Sequence, residues 1–164
     1  MKFLFLFLIF FACLTSVFAQ PKVLSANKIN KLVPGKIPGF LLKESKNNQL
    51  EFGTIKYSVC ERIFVDRKKT VKILLFDYVE APVMYTQAMK KWSEMQTTAS
   101  DSVIFRNTDS SFFNGWESYT AKNNHSQFVL GIHHRFFLTL SGEQMELSEL
   151  KSVLKKFDFS IFPD

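Results

Sequence analysis

Only two cysteines, Cys13 and Cys60, occur in the 164 residues, and that scarcity removes a whole architecture. A small exported scaffold stapled by disulfides needs cysteines in pairs. Glycine is thin as well. Beyond Gly115, Gly131 and a few turn glycines there is no glycine-rich phosphate loop, which excludes the usual nucleotide cradle. No Gly-x-Ser-x-Gly elbow is present, so the strand-turn-helix nucleophile of the serine hydrolases is missing. Basic residues are never massed. The densest run, Arg67-Lys68-Lys69, suits a solvated hairpin tip and falls short of the broad face that nucleic acid requires. No internal repeat stands out, and no cofactor is expected.

What is present begins at the amino terminus. Lys2 precedes an apolar run from Phe3 to Phe11, which gives way to Cys13-Leu14-Thr15-Ser16 and ends Val17-Phe18-Ala19 before Gln20. A basic start, a short apolar core and small residues at −3 and −1 of a cut define a secretory signal. Residues 1–19 are therefore expected to be removed after Ala19, and the protein to be secreted or periplasmic. A lipid anchor on Cys13 fits less well, because Phe10 occupies the third position back from it. The apolar run is short of the roughly 20 residues that span a bilayer, and no second one follows, so no transmembrane segment is expected in the mature chain. Removing 19 of the 164 residues leaves 145, one ordinary domain, and lowers the formal charge from +6 to +5. Only Cys60 then remains. With no cross-link possible, the 13 remaining phenylalanines must supply the core.

Residues 20–36 form an amino-terminal segment in which Ser25 caps a short helix with Ile29, Leu32 and Val33 on one face. Pro34-Gly35 and Pro38-Gly39 then mark turns before Phe40-Leu41-Leu42. From Thr54 to Asp66, Ile55, Tyr57, Val59, Ile63 and Val65 alternate, and a nearly continuous apolar run from Val71 to Val79 follows Asp66-Arg67-Lys68-Lys69. Two such runs around a polar tip predict a β-hairpin, the second strand central and covered on both sides. Pairing Val65 with Thr70 sets Ser58 opposite Asp77 and Glu61 opposite Leu74. Pro82 then opens a helix from Ala81 to Gln96 with Tyr85, Ala88, Met89, Trp92 and Met95 in one stripe. Thr97–Ser102 reads as a loop, Val103–Phe105 as a short strand and Thr108–Ser111 as a turn. Strands follow over Gly115–Ala121, Gln127–Ile132 and Arg135–Leu140, linked by residues 122–126 and by a tight turn at His133-His134. A final helix spans Glu146 to Phe157.

The order predicts an α+β fold: one domain over 37–164, mostly antiparallel sheet, with helices inserted after the first hairpin and at the carboxyl end. Ile37-Pro38-Gly39-Phe40, the hairpin ending Leu75-Phe76-Asp77-Tyr78, the helix with Trp92, Asn114-Gly115-Trp116-Glu117 and Leu130-Gly131-Ile132 before Arg135-Phe136 form a pattern of elements. Over Ile37 to Ile161 it resembles small uncharacterised exported bacterial proteins and, more distantly, the PsbP/Mog1-like α/β/α sandwich. That resemblance implies an assembly or binding factor and supplies no catalytic residue.

The candidate chemistry is correspondingly sparse. His125, His133 and His134 could share an ion only if a turn gathered them, and no carboxylate or thiol completes a ligand spacing, so no metal is expected. Glu61 and Asp77 interrupt apolar strands on opposite sheet faces, which separates them too far for paired acid-base work. Cys60, in a strand, reads as a small buried apolar residue. Asn124-His125-Ser126 has the form of a glycosylation sequon. Trp116 beside a turn is the best binding anchor, with His133, His134 and Arg135 the accompanying ligand-binding candidates. The expected function is an exported, non-enzymatic binding or assembly module with a protein partner in the cell envelope or medium. The alternatives are a carbohydrate- or lipid-binding protein built around Trp116, or a small hydrolase using the histidines.

Overall fold

The computed structural model describes residues 21–100 and 102–164; the expected signal at 1–19 and Cys13 lie outside the described residues. A short helix α1 (Ala26–Ile29) runs into a 3-10 turn (Asn30–Leu32). Strands β1 (Leu41–Phe52), β2 (Ile55–Asp66) and β3 (Lys69–Asp77) follow as a meander, then helix α2 (Pro82–Ser93). A second meander comprises β4 (Thr98–Ala99), β5 (Val103–Asp109), β6 (Phe113–Thr120), β7 (His125–Ile132) and β8 (Phe136–Glu143), before helix α3 (Leu147–Leu154). The strands form one antiparallel sheet in the order β1-β2-β3-β8-β7-β6-β5-β4. The α+β architecture is therefore as the sequence implies. The two meanders join at the β3–β8 seam, with Leu75 opposite Leu138.

The hairpin register is the expected one, Val65 facing Thr70, Ser58 facing Asp77 and Glu61 facing Leu74. The alternating apolar residues Ile55, Tyr57, Val59, Ile63 and Val65, however, lie on the less buried face of β2, and its buried face carries Ser58, Cys60, Arg62 and Phe64. Alternation then sorts each strand between the two layers. One face of the sheet carries Cys60, Phe64, Val71, Ile73, Leu75, Phe128, Leu130, Phe136, Leu138 and Leu140, all buried against Ile29, Leu32, Val33, Leu150 and Val153 of the helical layer. The amino-terminal segment is thus part of the main core. The other face packs Tyr78, Ala81, Val129 and Phe137 against Tyr85, Ala88, Met89 and Trp92 of α2. A fully buried residue such as Leu138 or Leu150 contributes enough that truncation to alanine costs about 2–5 kcal/mol.

Local chemistry explains the helices. In α3, Glu146 and Glu149 form a reciprocal capping box, and a hydrogen bond from Lys69 holds the Glu149 carboxyl below its usual range. Helix α2 has Pro82 in its first turn and no side-chain cap, so packing on the sheet holds it. Ser25 occupies the N-cap position of α1 yet makes no side-chain cap; its carbonyl accepts from Lys28 and Ile29. The carbonyls ending that segment are met instead by the buried Arg62, which donates to Val33 and Asn30.

Several boundaries differ from expectation. β1 continues ten residues past Leu42 through a polar stretch, because it is an edge strand exposed on both faces and carries no alternation to read. Helix α2 stops at Ser93, leaving Met95 outside it and 48% exposed. Thr108 and Asp109 belong to β5, where they pair with Gly115 and Asn114, and the turn falls later. His125 and Ser126 belong to β7, and Ser141 to Glu143 to β8. No helix among the described residues is long and apolar enough to cross a membrane.

Candidate functional site

Helix α2 lies across β6, β7 and β8 at a distance set by one residue. Gly131 has no side chain, and a Cβ there would stand 2.3 Å from Tyr85 Oη and 2.8 Å from Met89 Cε. Tyr85 and Met89 settle into that bare patch of sheet. Spacings of four and three residues then put Thr86, Lys90 and Ser93 along the flank of the helix. On the sheet side, Asn114 and Trp116 sit two positions apart on β6 and therefore share a face; their partners across the ladder are Gly131 and Val129. Between them opens a cleft of about 400 Å³ lined by the Tyr85, Thr86, Met89, Lys90, Ser93, Asn114, Trp116 and His134 side chains. That volume is at the small end for ligand sites.

Its polarity is specific. Thr86 Oγ1 donates to the Pro82 carbonyl at 3.0 Å and Ser93 Oγ to the Lys90 carbonyl at 2.9 Å. With their protons spent, these hydroxyls offer lone pairs to the cleft. Asn114, Lys90 and His134 supply donors from the opposite sense. Met89 and the half-buried Trp116 provide the apolar wall, and the Tyr85 ring meets His134 edge-on at 6.4 Å. Burial pushes the Tyr85 phenol above its usual range, so it stays protonated.

The two histidines form the central pair of a tight turn. Both have positive φ, 53° at His133 and 52° at His134, and Arg135 N–H closes the turn on the Ile132 carbonyl at 3.0 Å. This is the geometry that Asn-Gly adopts easily and that larger L-residues adopt at a cost of roughly 1–2 kcal/mol each. The side chains diverge. His134 enters the cleft, whereas His133 Nδ1 lies 2.8 Å from Asp164 Oδ1. His125 stands at the other end of β7, roughly 25 Å away along an eight-residue strand. The shared three-histidine ion site considered above is therefore ruled out by topology. Among the described residues no group of three or more His, Cys, Asp or Glu is placed to hold a metal.

Arg135 turns inward. Its guanidinium makes a buried bidentate pair with Asp77, Nε to Oδ1 and Nη2 to Oδ2, both at 2.9 Å. Nη1 donates to the Asp164 carbonyl at 2.7 Å and Nη2 to the Lys22 carbonyl at 3.1 Å. Asp77 in turn accepts from Leu24 N–H at 2.8 Å and Val79 N–H at 3.2 Å. The pair clasps both ends of the described chain to the β3–β8 seam. Glu61, on the opposite face, meets Lys72 at 2.7 Å. Cys60 is fully buried, and burial pushes its thiol up to about 11, which leaves almost no thiolate at neutral pH. Ser126 of the sequon is buried too, donating to the Met145 carbonyl at 2.9 Å.

No protein-family model matches the chain, and no curated protein matches it in sequence.

The structure thus brings together Trp116 and His134 and sends His133 and Arg135 elsewhere. A strand read to begin at Gly115 misses Asn114; β6 begins at Phe113, which puts Asn114 on the face of Trp116. Tyr85 and Met89 read as core within the helix stripe, and Lys90 lies off that stripe with no local signal to mark it.

Proposed function

We propose that this protein is an exported, non-enzymatic binding module, and that the cleft between α2 and β6 holds a small polyhydroxylated ligand of the saccharide type. The observation that carries this reading is the meeting of one aromatic wall with matched donors and acceptors. A sugar ring presents an apolar face, which packs on Trp116, and hydroxyls that both donate and accept. Thr86 and Ser93 accept from it; Asn114 and His134 donate to it. An acyl chain would use only the Trp116 and Met89 wall and none of these polar groups. The strained turn adds support, since left-handed non-glycine residues concentrate where a side chain must be presented. The amino-terminal signal pattern and the resemblance to PsbP/Mog1-like proteins favour the same class.

The two tryptophans complicate a direct optical test, because Trp92 stacks on Phe105 with ring centroids 6.4 Å apart. In a Trp92→Phe protein all tryptophan emission reports Trp116. Titration with neutral and acidic mono- and disaccharides should shift or quench that emission saturably. Absence of any response across the panel, with the fold intact by circular dichroism, would sink the reading.

A further inference from the structure

We infer that the ligand carries a negative charge, specifically a carboxylate on a saccharide ring; the inference rests on the cleft being the saccharide site. Among the eight lining residues none is acidic, while Lys90 places an ammonium at the rim and His134 and Asn114 add N–H donors on the sheet side. The acid nearest in sequence, Glu94, lies 3.5 Å from Lys90 in a pair whose side chains are 69% and 65% exposed. Such a surface pair is weak and screened by salt, so Lys90 remains available to an incoming anion. A carboxylate meeting Lys90 at the exposed edge of the cleft gains a charge-assisted hydrogen bond. A neutral sugar gains no such bond. The polyol face and the acid are thus read by different side chains: the helix hydroxyls and Trp116 recognise the ring, and Lys90 recognises its charge.

The test uses the mature chain carrying Trp92→Phe. Glucuronate and galacturonate are titrated beside glucose and galactose, with benzoate as a ring acid that lacks hydroxyls. The expected result is up to about fivefold tighter binding of the uronates than of the neutral sugars, weaker binding of benzoate, and loss of affinity on raising salt. Lys90 is exposed, so Lys90→Gln should fold normally and bring uronate and neutral sugar to within about twofold, while Lys90→Arg keeps the preference. Equal affinity for charged and neutral sugars, or a preference that survives Lys90→Gln, overturns the inference and leaves the saccharide reading standing. Benzoate binding as tightly as uronate removes the polyol requirement. Failure of every sugar removes both.

Discussion

Replacing Asp77 with asparagine tests how the segments around Lys22 and Asp164 are held. The carboxylate accepts two hydrogen bonds from Arg135 and one each from the Leu24 and Val79 amides, and both charged partners are at most 6% exposed. Asparagine is nearly isosteric, so the change leaves the guanidinium buried and uncompensated. Breaking a buried pair from one side costs about 3–5 kcal/mol, a third or more of a stability that for a domain is typically about 5–15 kcal/mol. For a domain of this size each kilocalorie moves Tm by roughly 3–4 °C, so Asp77→Asn should melt roughly 10–20 °C lower. Urea unfolding followed by circular dichroism gives the energy, and amide exchange at Leu24 reports the clasp. A double variant, Asp77→Leu with Arg135→Met, removes both charges and should recover much of the loss. A single-variant cost below about 1 kcal/mol, or a double variant worse than Asp77→Asn, would refute the assignment of the pair as an ionic clasp.

Three further outcomes follow from geometry already described. Gly131→Ala should cost about 1–3 kcal/mol in urea unfolding and weaken ligand binding, because the new methyl drives Tyr85 and Met89 off the sheet. Changing His133-His134 to Asn-Gly should raise stability by about 1 kcal/mol while weakening saccharide binding, a trade visible by comparing melts with Trp116 titrations. Cys60 should resist thiol reagents in the folded protein at pH 8 and react once unfolded. Because its folded-state pKa is raised from 9.0 to about 11, the contribution of Cys60 is complete below pH 9 and is lost by roughly 2–3 kcal/mol between pH 9 and 11. Cys60→Ala should therefore shrink the alkaline loss to what the raised Tyr78 and Tyr85 phenols leave above pH 10.

The contrast between β2–β3 and β1 shows what a sequence of this kind discloses. In the β2–β3 hairpin the polar tip Asp66-Arg67-Lys68-Lys69 sets Val65 opposite Thr70 to the residue. The apolar period of β2, by contrast, points to the wrong face, because the fully buried side carries Ser58, Cys60 and Arg62 beside Phe64. β1 has water on both faces, and its run of Lys, Glu, Asn and Gln leaves no period to find. The same physics governs the cleft. Trp116 is conspicuous as one of only two tryptophans, although it stands within β6 and not beside a turn, whereas Lys90 becomes informative only once Gly131 has let the helix down onto the sheet. Arg135 was misread for a related reason. Its partner Asp77 is 58 residues away in sequence, and nothing local marks either as buried. The paired histidines were correctly placed in a turn, but only the left-handed backbone reveals that one points to the cleft and the other to Asp164.

That a single guanidinium grips the carbonyls of both Lys22 and Asp164 makes the described part of the chain nearly a closed ring. A short polar bridge between those two residues, with a fresh opening cut between Arg67 and Lys68 at the exposed tip of the first hairpin, would reorder the chain while preserving every strand pairing. Such a permuted version would carry its Trp116 cleft unaltered.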